Sequence, residues 1–220
     1  MLVNKNLISY DKLNNDAKNR IIMYTTGRQF KNAVPMEEML IFPSKLGNWT
    51  NYFKISLNGI DYSEFIKNYG VKDNSTINLN GIPLITARGD NVINKQIAFI
   101  VNKAFACELY LKLILLENNI NFYDLRGKDR HLLYKLYSKL DNNFKTSLNS
   151  HMKSKGFNNI DEKINKISNA FIDWRYIFES YEKIASLDFL FLNEFCCYLD
   201  IEAKKVIYKN YEYNVTRDTL

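Results

Sequence analysis

Proline and glycine are scarce in this chain of 220 residues, which contains 3 prolines and 8 glycines. Because both residues mark turns, their scarcity argues against a turn-rich all-β protein and favours long helices. Cysteine is scarce too, and the 3 cysteines, Cys107, Cys196 and Cys197, include one adjacent pair. An odd number with this spacing makes a poor disulfide framework, so a reducing, cytoplasmic location is expected.

Long hydrophobic runs are also missing. The most apolar stretch, residues 187–199, is too short to cross a bilayer and contains Asp188 and Glu194. It predicts a buried helix and no association with membranes. The first ten residues contain no apolar segment followed by a small-residue cleavage site, which argues against a secretory signal.

Motifs that bind cofactors are absent from the sequence. There is no Walker phosphate loop, no glycine-rich dinucleotide fingerprint and no Cys/His spacing typical of zinc. Only 2 histidines, His131 and His151, are available for proton transfer. The sequence therefore predicts no cofactor and no metal.

Hydrophobic residues, by contrast, make up 46% of the chain, enough for a substantial core. Between 160 and 179 they recur in alternating steps of four and three, which predicts one amphipathic helix. They are Ile160, Ile164, Ile167, Phe171, Trp174 and Phe178. Similar patterns predict helices over about 92–117, from 129, over 141–152 and over 186–208. The fold class is therefore mostly α, a four- or five-helix bundle.

Residues 1–90 have a different pattern. A helix is predicted over 16–32, with Asp16 as its cap. Two strand-like runs, 52–60 and 76–85, each contain an Asn-Gly pair, which favours a tight hairpin turn. We therefore predict two domains, a small mixed α/β N-terminal lobe at 1–90 and a helical bundle at 91–220.

The net charge of +6 permits binding to a polyanion. Two basic clusters are candidates for phosphate contacts, although solvated loops explain them equally well. They are Arg126, Lys128 and Arg130 in one loop, and Lys145, His151, Lys153 and Lys155 further on. Tyr134 and Tyr137 are candidate stacking partners for bases.

Glu108 lies on the apolar face of the predicted helix over 92–117, so its carboxylate needs a partner inside the bundle. Arg175, at the edge of the stripe that contains Trp174, is the predicted partner. Such a pair would be either a structural ion pair that fixes helix register or part of a pocket that reads a ligand.

Three segments, 102–116, 131–137 and 168–179, resemble the helices of HEPN domains in order and spacing. In the first, Glu108 and Lys112 precede a leucine-rich end; the second begins His131-Leu-Leu; the third contains Arg175-Tyr. The resemblance implies a helical bundle, often a homodimer. The aromatic residues of the last predicted helix are candidates for the dimer surface, and they are Phe189, Phe191, Phe195 and Tyr198.

Some HEPN proteins are metal-independent RNases of toxin–antitoxin, abortive-infection and CRISPR-associated systems, and their motif is an Arg, four to six intervening residues, and then a His. Here Arg126 and His131 match that spacing, whereas the positions after Arg175 hold Ser180, Tyr181 and Glu182. A solvated loop is the alternative interpretation of Arg126 and His131.

Three functions are therefore open. The preferred one is binding of RNA or nucleotide without catalysis, in nucleic-acid-linked defence or regulation. The alternatives are an endoribonuclease that uses Arg126 and His131, and a protein-interaction subunit whose partner is a nucleotidyltransferase or a toxin. The candidate binding residues are Glu108, Lys112, Lys145, Lys153, Lys155 and Arg175.

Overall fold

The computed structural model describes residues 13–34, 52–56, 76–79, 82–85, 92–125, 127, 129–175 and 184–211. Its helices are α1 (Asn15–Asn32), α2 (Val92–Glu117), α3 (Leu133–Ser138), α4 (Asn142–Ser154), α5 (Ile160–Lys166), α6 (Ala170–Arg175) and α7 (Phe189–Tyr211). Its strands are β1 (Tyr52–Ser56), β2 (Thr76–Leu79), β3 (Ile82–Ile85) and β4 (Ile184–Asp188). The prediction of a mostly α helical bundle is confirmed.

Helix α2 forms the centre of the bundle. Residues 98–111 are all buried, as expected for a helix that is apolar on every side. It packs against α1, α3, α6 and α7. Helix α1 approaches α2 closely at Gly27, where an added Cβ would lie only 2.6 Å from Cε1 of Tyr110. A larger residue at Gly27 would therefore push α1 away from the core.

Helix α1 begins one residue earlier than predicted, and its cap is Asn14 rather than Asp16. Asn14 Oδ1 accepts a hydrogen bond from the Ala17 amide at 2.8 Å. Asp16 lies in the first turn, where the helix dipole favours its negative charge, and it pairs with Arg20.

The stretch 160–179, predicted as one helix, forms two helices within its described part. The chain leaves helical geometry at 167–169, where Ser168 bonds to a different helix. The amide of Leu133 donates to the Ser168 carbonyl and the amide of Tyr134 donates to Ser168 Oγ, both at 3.1 Å. This tertiary contact anchors the start of α3. Residues 176–179 lie outside the described part of the chain.

The last helix begins at Phe189 and not near 186, because residues 184–188 form strand β4, which pairs with β1 in antiparallel register. Asp188 ends the strand and starts the helix. Its Oδ1 accepts from the Phe191 amide at 3.0 Å, and its Oδ2 accepts from Lys163 at 2.8 Å. A local cap and a distant strand partner thus override the apolar helix pattern.

The hairpin predicted over 76–85 is confirmed by the antiparallel pairing of β2 with β3. The strand predicted at the start of 52–60 forms β1, but its partner is β4. Both Asn-Gly turns lie outside the described residues. The division into 1–90 and 91–220 stays a prediction; α1, from the first part, packs against α2 and α7.

The aromatic residues of α7 face the core and do not form a spare apolar surface. Phe191 and Phe195 are fully buried, while Phe189 is 9% and Tyr198 is 5% exposed. The dimer surface predicted from these four residues is therefore wrong. In the described part of the chain, no helix combines the length and apolar character needed to cross a membrane.

Candidate functional site

Glu108 on α2 is only 2% exposed, so its carboxylate depends on partners inside the protein. Lys112, one turn further along α2, donates to Oε1 at 2.6 Å. His131 Nδ1 lies 2.8 Å from Oε2. Lys112 and His131 are therefore the partners of Glu108. The predicted pair of Glu108 with Arg175 is wrong.

His131 is a half-buried residue of the turn that precedes α3. Its side chain is 26% exposed, and its ring lies 5.6 Å from the ring of Phe171 on α6. The hydrogen bonds from Leu133 and Tyr134 to Ser168 fix the chain directly after it. The described loop residues Gly127, Asp129 and Arg130 are exposed and His131 lies just before α3, which fits a solvated basic loop next to a helix start, although the His131 ring itself packs against the core.

Arg130 binds the outer nitrogen of the same imidazole. Its Nε donates to His131 Nε2 at 2.8 Å. Since Nε2 accepts this bond, Nδ1–H is the ring group placed to donate to Glu108. The tautomer is thus set by a carboxylate on one side and a guanidinium on the other.

We name Glu108, Lys112, Arg130 and His131 the Glu108 cluster. It contains one carboxylate, one ammonium group and one guanidinium group around the imidazole, so it has more basic than acidic side chains. The carboxylate is buried and Arg130 is exposed. Within the described residues, no carboxylate pairs with Arg130. The arrangement can bind an anion through Arg130, and it can hold an imidazole for proton transfer.

Arg175 lies near the cluster but is not part of it. Its guanidinium carbon is 5.6 Å from the centre of the Phe171 ring. Phe171 also contacts His131, so Arg175 and His131 pack against the same aromatic ring. Arg126, the predicted catalytic partner of His131, lies outside the described residues, as does Lys128.

The predicted basic stretch on α4 does not form one surface. Lys145 donates to the Ser138 carbonyl at 2.8 Å and lies over the Tyr137 ring, so it faces α3. Lys155 lies 3.7 Å from Glu194 of α7. Lys153 is exposed. These lysines contact α3, α7 and solvent rather than the Glu108 cluster.

The residue whose role the sequence did not reveal is Arg130. It belongs to the predicted basic loop, but no sequence-spacing rule predicts that an arginine donates a hydrogen bond to the imidazole of the next residue. The structure also places a cavity of about 240 Å³ beside it. That cavity is lined partly by Asp129, Lys135 and Lys139.

Within the described residues, no group of three or more His, Cys, Asp or Glu side chains is placed to hold a metal ion.

Comparison with known proteins adds no relative: no family model, curated protein or solved structure matches this chain.

Proposed function

We propose that this protein is a HEPN-like RNA-binding protein of nucleic-acid-linked defence or regulation, and that the Glu108 cluster binds an RNA phosphate. The observation that carries the proposal is the state of Arg130. This cation is exposed, is held in place by His131, and has no carboxylate partner in the described part of the chain. The resemblance of the three helical segments supports the choice of RNA.

The contacts suit phosphate binding because they fix Arg130 before the ligand arrives. Its Nε is bound to His131, and its terminal amino groups remain for the two oxygens of a phosphate. His131 is in turn held by the buried carboxylate of Glu108. A side chain held in this way loses less conformational entropy on binding than a free surface arginine.

Binding is tested with fluorescently labelled single-stranded RNA and anisotropy titrations. We expect Arg130→Gln to weaken binding about ten- to a hundredfold, since a hydrogen-bonded charged contact is worth about 1.5–3 kcal/mol. The matched control is Lys166→Gln, which removes a cation whose side chain is 67% exposed on α5, a different helix. Equal affinities for wild type and Arg130→Gln would contradict the proposal.

A second candidate function, metal-independent RNA cleavage, is favoured by the bond between Glu108 and His131. A buried carboxylate that orients an imidazole is a recurring acid–base arrangement. If an RNA phosphate draws Arg130 away from Nε2, this nitrogen becomes free to accept the 2′-hydroxyl proton. The 2′-oxygen then attacks phosphorus, the bond to the 5′-oxygen breaks, and that oxygen takes a proton from solvent. The product is a 2′,3′-cyclic phosphate.

Cleavage is tested in EDTA with the same RNA, followed by mass analysis of the ends. Cyclic phosphate products that disappear in His131→Ala and decrease in Glu108→Gln would establish the second function. Retained binding with no cleavage above a mock preparation supports the first. Circular dichroism of both variants distinguishes loss of chemistry from loss of fold.

The homodimer implied by the resemblance is part of the proposal and is tested by light scattering. A mass of twice 25.9 kDa is expected at micromolar concentration. A monomer mass would contradict the dimer without affecting the assignment of the Glu108 cluster.

A further inference from the structure

A second concave surface lies far along the chain from the Glu108 cluster, between α4 and α7. The groove has a volume of about 630 Å³. One wall consists of amide and hydroxyl side chains of α4, and they include Asn143, Thr146, Ser147 and Ser150. The other wall includes Ile201 and Lys205 of α7. Such donors and acceptors suit phosphates and ribose hydroxyls.

The floor of the groove is held by aromatic packing between the two helices. The hydroxyl of Tyr198 donates to Ser147 Oγ at 2.9 Å. The rings of His151 and Phe144 lie 4.9 Å and 5.7 Å from the Tyr198 ring. Since Tyr198 is only 5% exposed, these contacts join α4 to α7 and fix the width of the groove.

Helix α7 extends the groove with an exposed stripe at helical spacing. Ile201 is 50% and Tyr208 is 42% exposed, which makes them two of the larger exposed apolar side chains in the described residues. Lys204 Nζ lies 5.4 Å from the Tyr208 ring, so a cation and an aromatic face are presented together. Exposed aromatic rings next to cations are the usual platform for unpaired bases.

Lysines line the groove and continue on the two elements that form it. Lys205 lines the groove itself, and four further exposed lysines lie on α7 or at the end of α4, namely Lys153, Lys155, Lys204 and Lys209. The acidic side chains facing them are Glu194 and Glu202. Both glutamates are partly exposed and form ion pairs with Lys155 and Lys205 respectively, and such surface pairs are weak enough for a phosphate to compete.

We propose that the groove between α4 and α7 binds single-stranded RNA, with phosphates along the lysines and a base on Tyr208. The proposal rests on the proposed function, since it extends the same ligand to a second surface. A single strand fits best because its bases are free to stack and its backbone follows a groove. An acidic peptide has no such need for Tyr208, and membrane binding uses a broad apolar helix face, whereas amide and hydroxyl side chains form one wall of this groove.

The experiment compares two RNAs, of roughly 16 and roughly 4 nucleotides. Lys205→Glu is the test variant and Lys166→Glu is its control. Both lysines are 67% exposed and both bond a glutamate of their own helix at 2.7 Å. We expect Lys205→Glu to weaken binding of the longer RNA about tenfold, with Lys166→Glu unchanged. Tyr208→Ala should weaken it as well, whereas Tyr208→Phe, which keeps the ring, should not.

The outcomes separate the two surfaces. Weaker binding in Arg130→Gln with no change in Lys205→Glu and Tyr208→Ala overturns the groove and leaves the Glu108 cluster standing. Weaker binding in Lys205→Glu and Tyr208→Ala with no change in Arg130→Gln supports the groove and contradicts RNA binding by the Glu108 cluster. Binding of polyglutamate or phosphatidylserine vesicles that depends on Lys205, without RNA binding, overturns the choice of RNA.

Discussion

At the scale of single residues, His131 is the most informative side chain, because it joins a buried carboxylate to an exposed cation. One ring nitrogen contacts Glu108 and the other accepts from Arg130, each at 2.8 Å. Both ring nitrogens are therefore satisfied without ligand. In the proposed binding function Arg130 keeps this bond while its terminal amino groups bind the anion, whereas in the second candidate function the anion draws Arg130 away and frees Nε2.

The partners of Glu108 predict which pairs of substitutions are coupled. In a double-mutant cycle, Glu108→Gln and Lys112→Met should show a coupling of about 1–3 kcal/mol, since they share a nearly buried bond. Glu108→Gln and Arg175→Met should instead be additive within about 0.5 kcal/mol. Urea unfolding of the four single and double variants measures both values. Coupling of Glu108 to Arg175 but not to Lys112 would reverse the assignment.

At the scale of elements, the junction of α1, α2 and α7 combines a tight contact with buried polar groups. Lys31 of α1 bonds Asp200 of α7 at 2.5 Å. Burial lowers the pKa of Lys31, but the hydrogen bond and charge of Asp200 outweigh burial and raise it. Burial, aided by the charge of Asp200, raises the pKa of Tyr24 from its ordinary value to about 12. Burial is also the main cause of the raised pKa of Tyr110.

These shifts predict that stability falls at alkaline pH. Each group holds its proton more firmly in the folded than in the unfolded chain, so its contribution is complete below the unfolded pKa near 10. Above about pH 10 the unfolded chain loses these protons first, and Tm should fall up to about pH 12. Thermal unfolding from pH 8 to 11.5, roughly spanning this window, measures the effect.

Tyr24→Phe should make that alkaline decline shallower, because the buried phenol no longer titrates. Tyr123→Phe is the control, since Tyr123 is 74% exposed. A Tm that is independent of pH above 10, or a Tyr24→Phe variant with the wild-type slope, would count against the predicted cause.

At the scale of the whole molecule, the net charge of +6 favours association with polyanions over the whole surface. Two surfaces are proposed to concentrate this positive charge. The Glu108 cluster provides one fixed guanidinium, and the groove between α4 and α7 provides exposed lysines. A single RNA strand that contacts both surfaces would bind more tightly than one that contacts either alone, because the second contact forms within the same complex.

Binding of the longer RNA should therefore weaken steeply with salt. Each phosphate contact with a single strand contributes a slope of roughly 0.7 in log Kd against log salt concentration. Lys205→Glu should reduce the slope by about that amount, whereas Lys166→Glu should not. Anisotropy titrations over a range of potassium chloride concentrations measure it. A slope near zero for wild type would show that phosphates are not the group recognised.

Features that depend on neighbouring residues along the chain could be predicted from the sequence alone. The predicted helix over about 92–117 is found at Val92–Glu117, because a continuous apolar helix needs no information beyond its own pattern. The hairpin over 76–85 follows from alternation around Asn-Gly. The inward position of Glu108 follows from its place on an apolar face.

Contacts between groups that are distant along the chain could not be predicted, because they depend on how the elements pack. Ser168 interrupts a helical pattern because its oxygens bond the amides of Leu133 and Tyr134. Residues 184–188 form a strand because β1, more than a hundred residues earlier, supplies the hydrogen-bond partner. The burial of Glu108 was predicted correctly but its partner was not, since Arg175 and His131 both lie on neighbouring elements. Helix periodicity reports which face is buried, whereas the partner across that face depends on how the elements pack.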